Sequence, residues 1–119
     1  MSASNKSPDE LARQLWAIGD IARLNLLQLL PETPDDCTQG NNVSTLAEKL
    51  GMSQPTVSHH LRILRQAGIV KNQKMCRDVY YWIDPVEAEA VLGDLRKVLL
   101  TSTVARVPGT IMLDGPGEG

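Results

Sequence analysis

The sequence predicts one mainly α-helical domain with a single β-hairpin, and three observations support this fold class. Helix-start signals recur along the chain, the first at Ser7, Pro8 and Glu10, which combine a capping serine with a proline and a glutamate at the first and third helical positions. Strand signals gather near Tyr80, where β-favouring side chains alternate with period two. A chain of 119 residues has the length of about one domain.

The N-terminal third of the sequence predicts two helices followed by a loop. A disordered lead over residues 1–6 precedes a first helix over residues 8–18. Asp20 caps a second, leucine-rich helix, which is predicted to be largely buried and to end at Leu30. Residues 31–42 are rich in Pro, Asp, Asn and Gly, which is typical of a long loop.

Two further helices follow in close succession. The third is predicted to begin near Ser44 or Thr45 and to end at Gly51, a residue type suited to the left-handed position after a helix. Ser53 can cap a fourth helix that continues over residues 54–67. A short helix, a tight turn with a glycine and a longer helix give helix-turn-helix spacing.

The hairpin follows the fourth helix. Strands are predicted over residues 69–74 and 78–83, and the connection between them carries Lys74 and Arg77 at its tip. A basic hairpin after a helix-turn-helix fits a wing that contacts a nucleic-acid backbone, whereas the alternative is a solvated charged turn.

The last predicted helix begins after Asp84 and continues to about Thr101. Its apolar stripe is wide for the end of a small domain, which favours self-association over packing on its own core alone. The stripe consists of Ala88, Val91, Leu92, Leu95, Val98 and Leu99. Residues 7–103 therefore form the predicted domain, and residues 104–119 a flexible tail.

The charge is unevenly distributed. The net charge is −2, but the segment from Lys49 to Arg77 holds six basic residues and no Asp or Glu, which leaves −8 on the rest of the chain. This basic segment coincides with the turn, the fourth helix and the hairpin tip. Such a local concentration indicates an anionic partner that the net charge conceals.

The fourth helix has two contrasting faces on a helical wheel. Val57, Leu61 and Leu64 point towards the core, while the opposite face carries short polar groups first and cations later. That order suits a helix in a DNA major groove, because polar groups read base edges and cations bind phosphates. The predicted DNA-binding residues, with those of the hairpin, are Ser53, Gln54, Pro55, Thr56, Ser58, His59, Arg62, Arg65, Lys74 and Arg77.

The two adjacent histidines have separate roles, because neighbouring side chains on a helix point about 100° apart. His59 points outward and is a candidate DNA contact. His60 lies at the edge of the buried stripe, where packing and hydrogen bonding are the expected role.

These motifs resemble the winged-helix core of the ArsR/SmtB family of bacterial repressors. The similarity is carried by SQPTVSHHL at residues 53–61, by LRQAGIV at residues 64–70 and by DIARLNLLQLL at residues 20–30. It covers about residues 8–101. It implies a winged helix-turn-helix domain of order α1-α2-α3-αR-β-β-α5 that forms a homodimer through its first and last helices. It also implies a repressor that leaves a palindromic operator in double-stranded DNA when an effector, often a metal ion, binds.

The family's metal ligands do not carry over to this sequence. Arsenic-type members have Cys-x-Cys at the start of the third helix, where this chain has Asn42, Val43 and Ser44. Zinc-type members have two histidines in the last helix, where this chain has Val98 and Thr101. The sequence therefore predicts no metal site and no cofactor.

The two cysteines, Cys37 and Cys76, cannot form the disulfide framework of a small secreted domain. They fit reduced thiols of a cytoplasmic protein, and a dithiol or soft-metal switch is the alternative. Cys76 also lies between Lys74 and Arg77, whose charges favour a reactive thiolate.

Several classes of function are excluded or kept as alternatives. No apolar run approaches the ~18 residues of a membrane span. The chain has no Gly-rich phosphate loop and no Ser/His/Asp arrangement, so it is not predicted to be an enzyme. A sequence-specific transcriptional regulator is the leading hypothesis. The alternatives are a winged-helix module for protein–protein assembly and a constitutive DNA binder without a metal sensor.

Overall fold

The computed structural model describes residues 7–34 and 41–101. These residues form five α-helices and one antiparallel hairpin, as predicted. The helices are α1 (Pro8–Ile18), α2 (Ile21–Leu29), α3 (Val43–Leu50), α4 (Gln54–Gln66) and α5 (Pro85–Arg96), and the strands are β1 (Val70–Met75) and β2 (Asp78–Ile83). The last helix continues as a π-helical turn, Lys97–Thr101. The predicted lead, part of the long loop and the predicted tail lie outside the described residues.

Side-chain caps fix where the helices begin. Ser7 and Glu10 form the predicted capping box of α1, and the Asp20 carboxylate accepts hydrogen bonds from the first backbone N–H groups of α2. Asp84 does the same for α5. The predicted start of α3 near Ser44 is wrong by one or two residues, because Asn42 caps the helix with its side-chain oxygen 2.8 Å from the Thr45 nitrogen.

The helix-turn-helix is confirmed. Gly51 ends α3 with φ +66°, a left-handed conformation that costs a side-chain-bearing residue about 1 kcal/mol or more. Ser53 then caps α4 by accepting a hydrogen bond from the Thr56 N–H at 3.2 Å. Only Met52 separates the glycine from the cap, so α3 and α4 are held in one fixed relation.

The hairpin follows α4 directly. Its register pairs Val70 with Ile83 and Met75 with Asp78, so β1 begins one residue later than predicted and extends to Met75. Cys76 and Arg77 form the connection, both with positive φ. Two left-handed residues give the turn whose twist matches that of the paired strands, so the tip is tight.

The core lies where α2, α3, α4 and the start of the hairpin meet. The predicted inward face of α4 is confirmed, because Val57, Leu61 and Leu64 are fully buried. Leu26 of α2 and Leu46 of α3 complete the centre of this cluster. Fully burying side chains of this size contributes roughly 1.5–3 kcal/mol each, so α4 is fixed by its inner face.

The prediction that α2 is largely buried is wrong. Arg23 and Leu26 face the interior, whereas Ile21 is 73% exposed and Leu24 is 43% exposed. Apolar side chains occur on all sides of α2, but only one side of the helix packs against α3 and α4. The composition of a short helix therefore did not reveal how many faces have neighbours.

The inward face of α5 also differs from the apolar stripe. Ala90, Val91 and Asp94 are buried against the rest of the chain, although the sequence placed Asp94 outside the stripe. Leu92 and Val98, which belong to the stripe, are each 61% exposed. Half of the stripe, namely Leu92, Val98 and Leu99, is thus turned away from the domain's own core. No helix among residues 7–34 and 41–101 has the length and apolar character needed to cross a membrane.

Candidate nucleic-acid interface

The outer face of α4 presents a continuous polar surface. All of the predicted residues on this helix and its cap are exposed except Ser58, which is half-buried. The exposed ones are Ser53, Gln54, Pro55, Thr56, His59, Arg62 and Arg65. One rigid helix therefore places donors, acceptors and cations on the same side of the molecule.

Ser53 and Thr56 also have a structural role at the start of this surface. Their hydroxyl oxygens lie 2.8 Å apart, and Ser53 Oγ accepts from the Thr56 backbone N–H. The cap orients the first turn of α4, whose N-terminus carries a partial positive charge that favours an anion. The sequence assigned both residues to DNA contact; the structure gives them this capping contact as well.

The hairpin supplies a second group of cations. Lys74 and Arg77 are exposed at its tip, as predicted. Neither makes an ion pair with another described residue, and the same holds for Arg62 and Arg65. Within residues 7–34 and 41–101, these four side chains can therefore bind phosphate groups without first breaking an ion pair.

Lys71 differs from these cations. Its Nζ lies 3.4 Å from Asp84 Oδ2, the carboxylate that also caps α5. This pair links β1 to the start of the last helix. One of the six basic residues in the basic segment is therefore engaged inside the domain.

A buried arginine supports α4 from behind, and the sequence analysis did not identify it. Arg23 is 6% exposed, and its guanidinium donates to the backbone carbonyl oxygens of Ala17 at 2.5 Å and Trp16 at 3.4 Å. It also lies 4.9 Å from the centre of the Trp16 ring. The signal in the sequence was a charged residue within the apolar run of α2.

The same arginine contacts His60. Arg23 Nη1 lies 3.2 Å from His60 Nδ1, and because a guanidinium only donates, Nδ1 is the acceptor. Burial and the adjacent Arg23 charge hold the pKa of His60 below its usual 6.5, while Asp20 opposes that shift. The imidazole is thus neutral near pH 7, and its expected packing and hydrogen-bonding role is confirmed.

A second buried contact holds the C-terminal end of α4. Gln14 Nε2 donates to the Ala67 carbonyl oxygen at 3.0 Å and to Glu87 Oε2 at 2.6 Å. The amide joins α1, the end of α4 and the start of α5. A contact between residues 14 and 87 leaves no periodic signal in the sequence.

Metal chemistry has no candidate ligand set in the described part of the chain, where no three His, Cys, Asp or Glu residues cluster. Cys76 is disulfide-bonded, which differs from the reduced thiol that the sequence analysis favoured. The chain's other cysteine, Cys37, lies outside the described residues.

The helix-turn-helix, the basic hairpin and the outer face of α4 without carboxylates are the features of a winged-helix DNA-binding regulator. Residues 20–72 match the model of the bacterial regulatory protein arsR family. Over 75 residues the chain is 43% identical to an uncharacterized HTH-type transcriptional regulator of Methanocaldococcus jannaschii, covering 63% of this chain and 79% of that protein.

Two further comparisons agree. The arsenical resistance operon repressor of Escherichia coli is 36% identical over 73 residues, covering 60% of this chain and 58% of that one. The homodimeric winged helix-turn-helix DNA-binding domain of a possible ArsR-family regulator from Mycobacterium bovis superposes with a TM-score of 0.58 at 26% identity, covering 85% and 93% of the two chains. The chain belongs to the ArsR family, and the resemblance seen in its sequence is confirmed.

The neutral state of His60 predicts that stability depends on pH. In the unfolded chain His60 binds protons with its usual pKa of 6.5, above its pKa in the folded domain. Between about pH 7.5 and about pH 5 the unfolded state therefore gains more protons, and the free energy of unfolding falls. Urea unfolding at several pH values should show this fall, and His60→Gln should reduce it.

The matched control is His59→Gln, which removes the adjacent exposed imidazole and keeps the Arg23 contact. This control should retain the pH dependence of the wild-type chain. An equally steep fall in wild type and in His60→Gln would show that His60 is not the group responsible.

Proposed function

We propose that this regulator is a homodimeric repressor that inserts α4 into the DNA major groove at each half of a palindromic operator. The observation that carries the proposal is the outer face of α4, which is exposed and free of carboxylates and is followed by cations that make no ion pair with a described residue. A surface of that composition would be strained by charge repulsion if it packed against itself, whereas a polyanion neutralises it.

The side chains divide into two roles. Gln54, Ser58 and His59 are the candidate base readers, because they carry donors and acceptors in the first turns of α4. Pro55 and Thr56 shape the first turn, and Ser53 caps it. The phosphate ligands in this proposal are Arg62, Arg65, Lys74 and Arg77.

The dimer interface that we propose consists of α1 and α5. The supporting observation is that half of the apolar stripe along α5 and its π-helical extension faces outward, with Leu92, Val98 and Leu99 each more than half exposed. A cleft of about 340 Å³ between α1 and α5 lies beside Val98 and continues this apolar surface. An exposed apolar face of this kind is typical of a protein–protein interface, and two-fold symmetry would match a palindrome.

We also propose a signal, since the chain lacks the family's metal ligands. Two thiols and a peroxide yield one disulfide and two waters, so Cys76 and Cys37 can record oxidation. The bond would tether the wing turn to the loop that carries Asp35 and Asp36. Carboxylates brought towards Lys74 and Arg77 would weaken phosphate binding, so oxidation should release DNA. Reduction of this disulfide in the cytoplasm would restore binding.

The phosphate ligands can be tested by salt dependence. Arg62→Ala and Arg77→Ala should each weaken DNA binding and lower the slope of log affinity against log salt by about one, because one phosphate contact is lost. Ser58→Ala should keep the slope and change the preferred base at one position, by roughly 1–3 kcal/mol. In vitro selection followed by fluorescence anisotropy measures both.

The control is Arg96→Gln, which removes an exposed cation of α5 that lies outside the proposed DNA-contacting surface. It should leave both slope and preference unchanged. A chain that binds no DNA at any salt concentration would instead favour the protein–protein assembly module.

The proposed dimer interface predicts that a charge placed within it weakens the association of the two chains. Leu92→Asp should shift the chain to a monomer in sedimentation equilibrium, because a carboxylate would be buried without a partner. Operator affinity should then fall by roughly a hundredfold, since two linked half-sites become independent. Val86→Asp is the matched control, being 71% exposed on another face of α5. Unchanged association in Leu92→Asp would exclude this interface.

The redox proposal predicts a reversible change in affinity. Peptide mapping after hydrogen peroxide should find Cys37 linked to Cys76, and dithiothreitol should separate them. The oxidised chain should bind the operator more weakly, Cys76→Ser should bind equally under both conditions, and Asp35→Asn with Asp36→Asn should reduce the difference. If the oxidised and reduced wild-type chains bind the operator with equal affinity, the redox proposal is wrong and oxidation does not regulate DNA binding.

A further inference from the structure

A groove of about 330 Å³ lies between α1 and the C-terminal half of α4. Trp16 and Ala17 line it from α1, and Ile63 and Ala67 line it from α4. Its walls are therefore mainly apolar, and its volume lies at the lower end of the range of small-molecule sites, roughly 300–1,000 Å³. No function described above uses this groove.

The indole of Trp16 forms a fixed wall. The ring is 62% exposed, which is unusual for so large an apolar side chain. Arg23 lies 4.9 Å from the ring centre and also donates to the Trp16 carbonyl, so the ring is held by a buried cation. A wall that is already ordered costs a ligand little conformational entropy.

The polar part of the groove is positively charged. Arg13, His59 and Gln66 line it together with the apolar residues, and none of the lining residues is a carboxylate. Arg13 makes no ion pair with another described residue. Glu10, one turn earlier, lines an adjoining depression, and its carboxylate accepts the Ser7 N–H of the α1 capping box.

From this arrangement we infer that the groove binds a small aromatic carboxylate. The ring lies against Trp16 and Ile63, and the carboxylate accepts hydrogen bonds from the Arg13 guanidinium, the side chain best shaped for two parallel bonds to it. A cationic or neutral ligand of the same shape has no partner for Arg13. The ligand class is thus defined by charge as well as by shape.

A ligand in this groove opposes DNA binding, a consequence that rests on the proposed function. His59 lines the groove and also belongs to the outer face of α4. Ligand and operator therefore compete for one side chain and for the electrostatic field around it. By linkage, each lowers the affinity of the other by the same factor.

The experiment titrates the full chain, without DNA, with naphthoate, naphthamide and naphthylmethylamine in a calorimeter. Naphthoate should bind about fivefold more tightly than the amide and the amine, the size expected for one charge-assisted contact at a solvated rim. Arg13→Gln should reduce naphthoate binding to the level of the amide. Gln66→Glu, an exposed position that tolerates a charge, should do the same, and Arg96→Gln should not.

A second readout locates the ligand. In a Trp82→Phe chain the one remaining indole belongs to Trp16, so naphthoate should shift its indole N–H signal in an NMR titration. Equal binding of all three probes, or naphthoate binding that both groove variants leave intact, would overturn the site. Naphthoate binding with unchanged operator affinity would overturn the competition. A chain that binds naphthoate but no DNA would refute the proposed function and leave the site standing.

Discussion

The burial of the Arg23 guanidinium is the interaction on which the placement of α4 depends. A charge that is 94% removed from solvent would be destabilising without partners. Its partners are backbone carbonyls of the last turn of α1 and the ring of Trp16. Helix C-termini carry a partial negative charge, and α1 has no basic residue of its own in that turn. An arginine from α2 supplies the missing cation, so α1 and α2 are held at a fixed angle.

This arrangement extends to the middle and to the C-terminal end of α4. His60, at the midpoint of the helix, accepts a hydrogen bond from Arg23, and at the C-terminal end the Ala67 carbonyl accepts one from Gln14. Both contacts lead back to α1, and Gln14 also reaches Glu87 at the start of α5. The two helices proposed for dimerisation therefore connect to α4 through buried polar contacts, which transmit position more precisely than apolar packing alone.

The sequence was most informative where structure is local. Caps such as Ser7 and Asp84, the glycine at position 51 and the buried face of α4 follow from residues a few positions apart, and all were predicted correctly. The errors concern relations between elements. The exposure of Ile21 and the burial of Asp94 depend on which neighbours pack against a helix face, and a helical wheel contains no information about neighbours.

The same distinction applies to the candidate interface. Exposed cations such as Arg62 and Arg77 could be found from charge patterning, because an outward face is a property of one helix or turn. Arg23 and Gln14 could not, because their partners lie in other elements. The sequence therefore predicted the exposed basic surface that the structure has, and it missed the residues that hold this surface in position.

The attachment of α4 to α1 limits how a signal can act on this protein. Arg23 links the middle of α4 to the last turn of α1, and Gln14 of α1 holds the C-terminal end of α4. Reorientation of α4 within the domain would therefore deprive a buried charge and a buried amide of their partners. The cost is about 1–3 kcal/mol or more for each group. A weak ligand cannot supply that free energy, since a ligand shifts an equilibrium only by its differential affinity. Signals that alter the exposed surface without moving α4 avoid this cost. The proposed ligand in the groove beside His59 and the proposed redox signal at the wing would both act in that way, so both are compatible with a rigid domain, whereas a mechanism that rotates α4 is not.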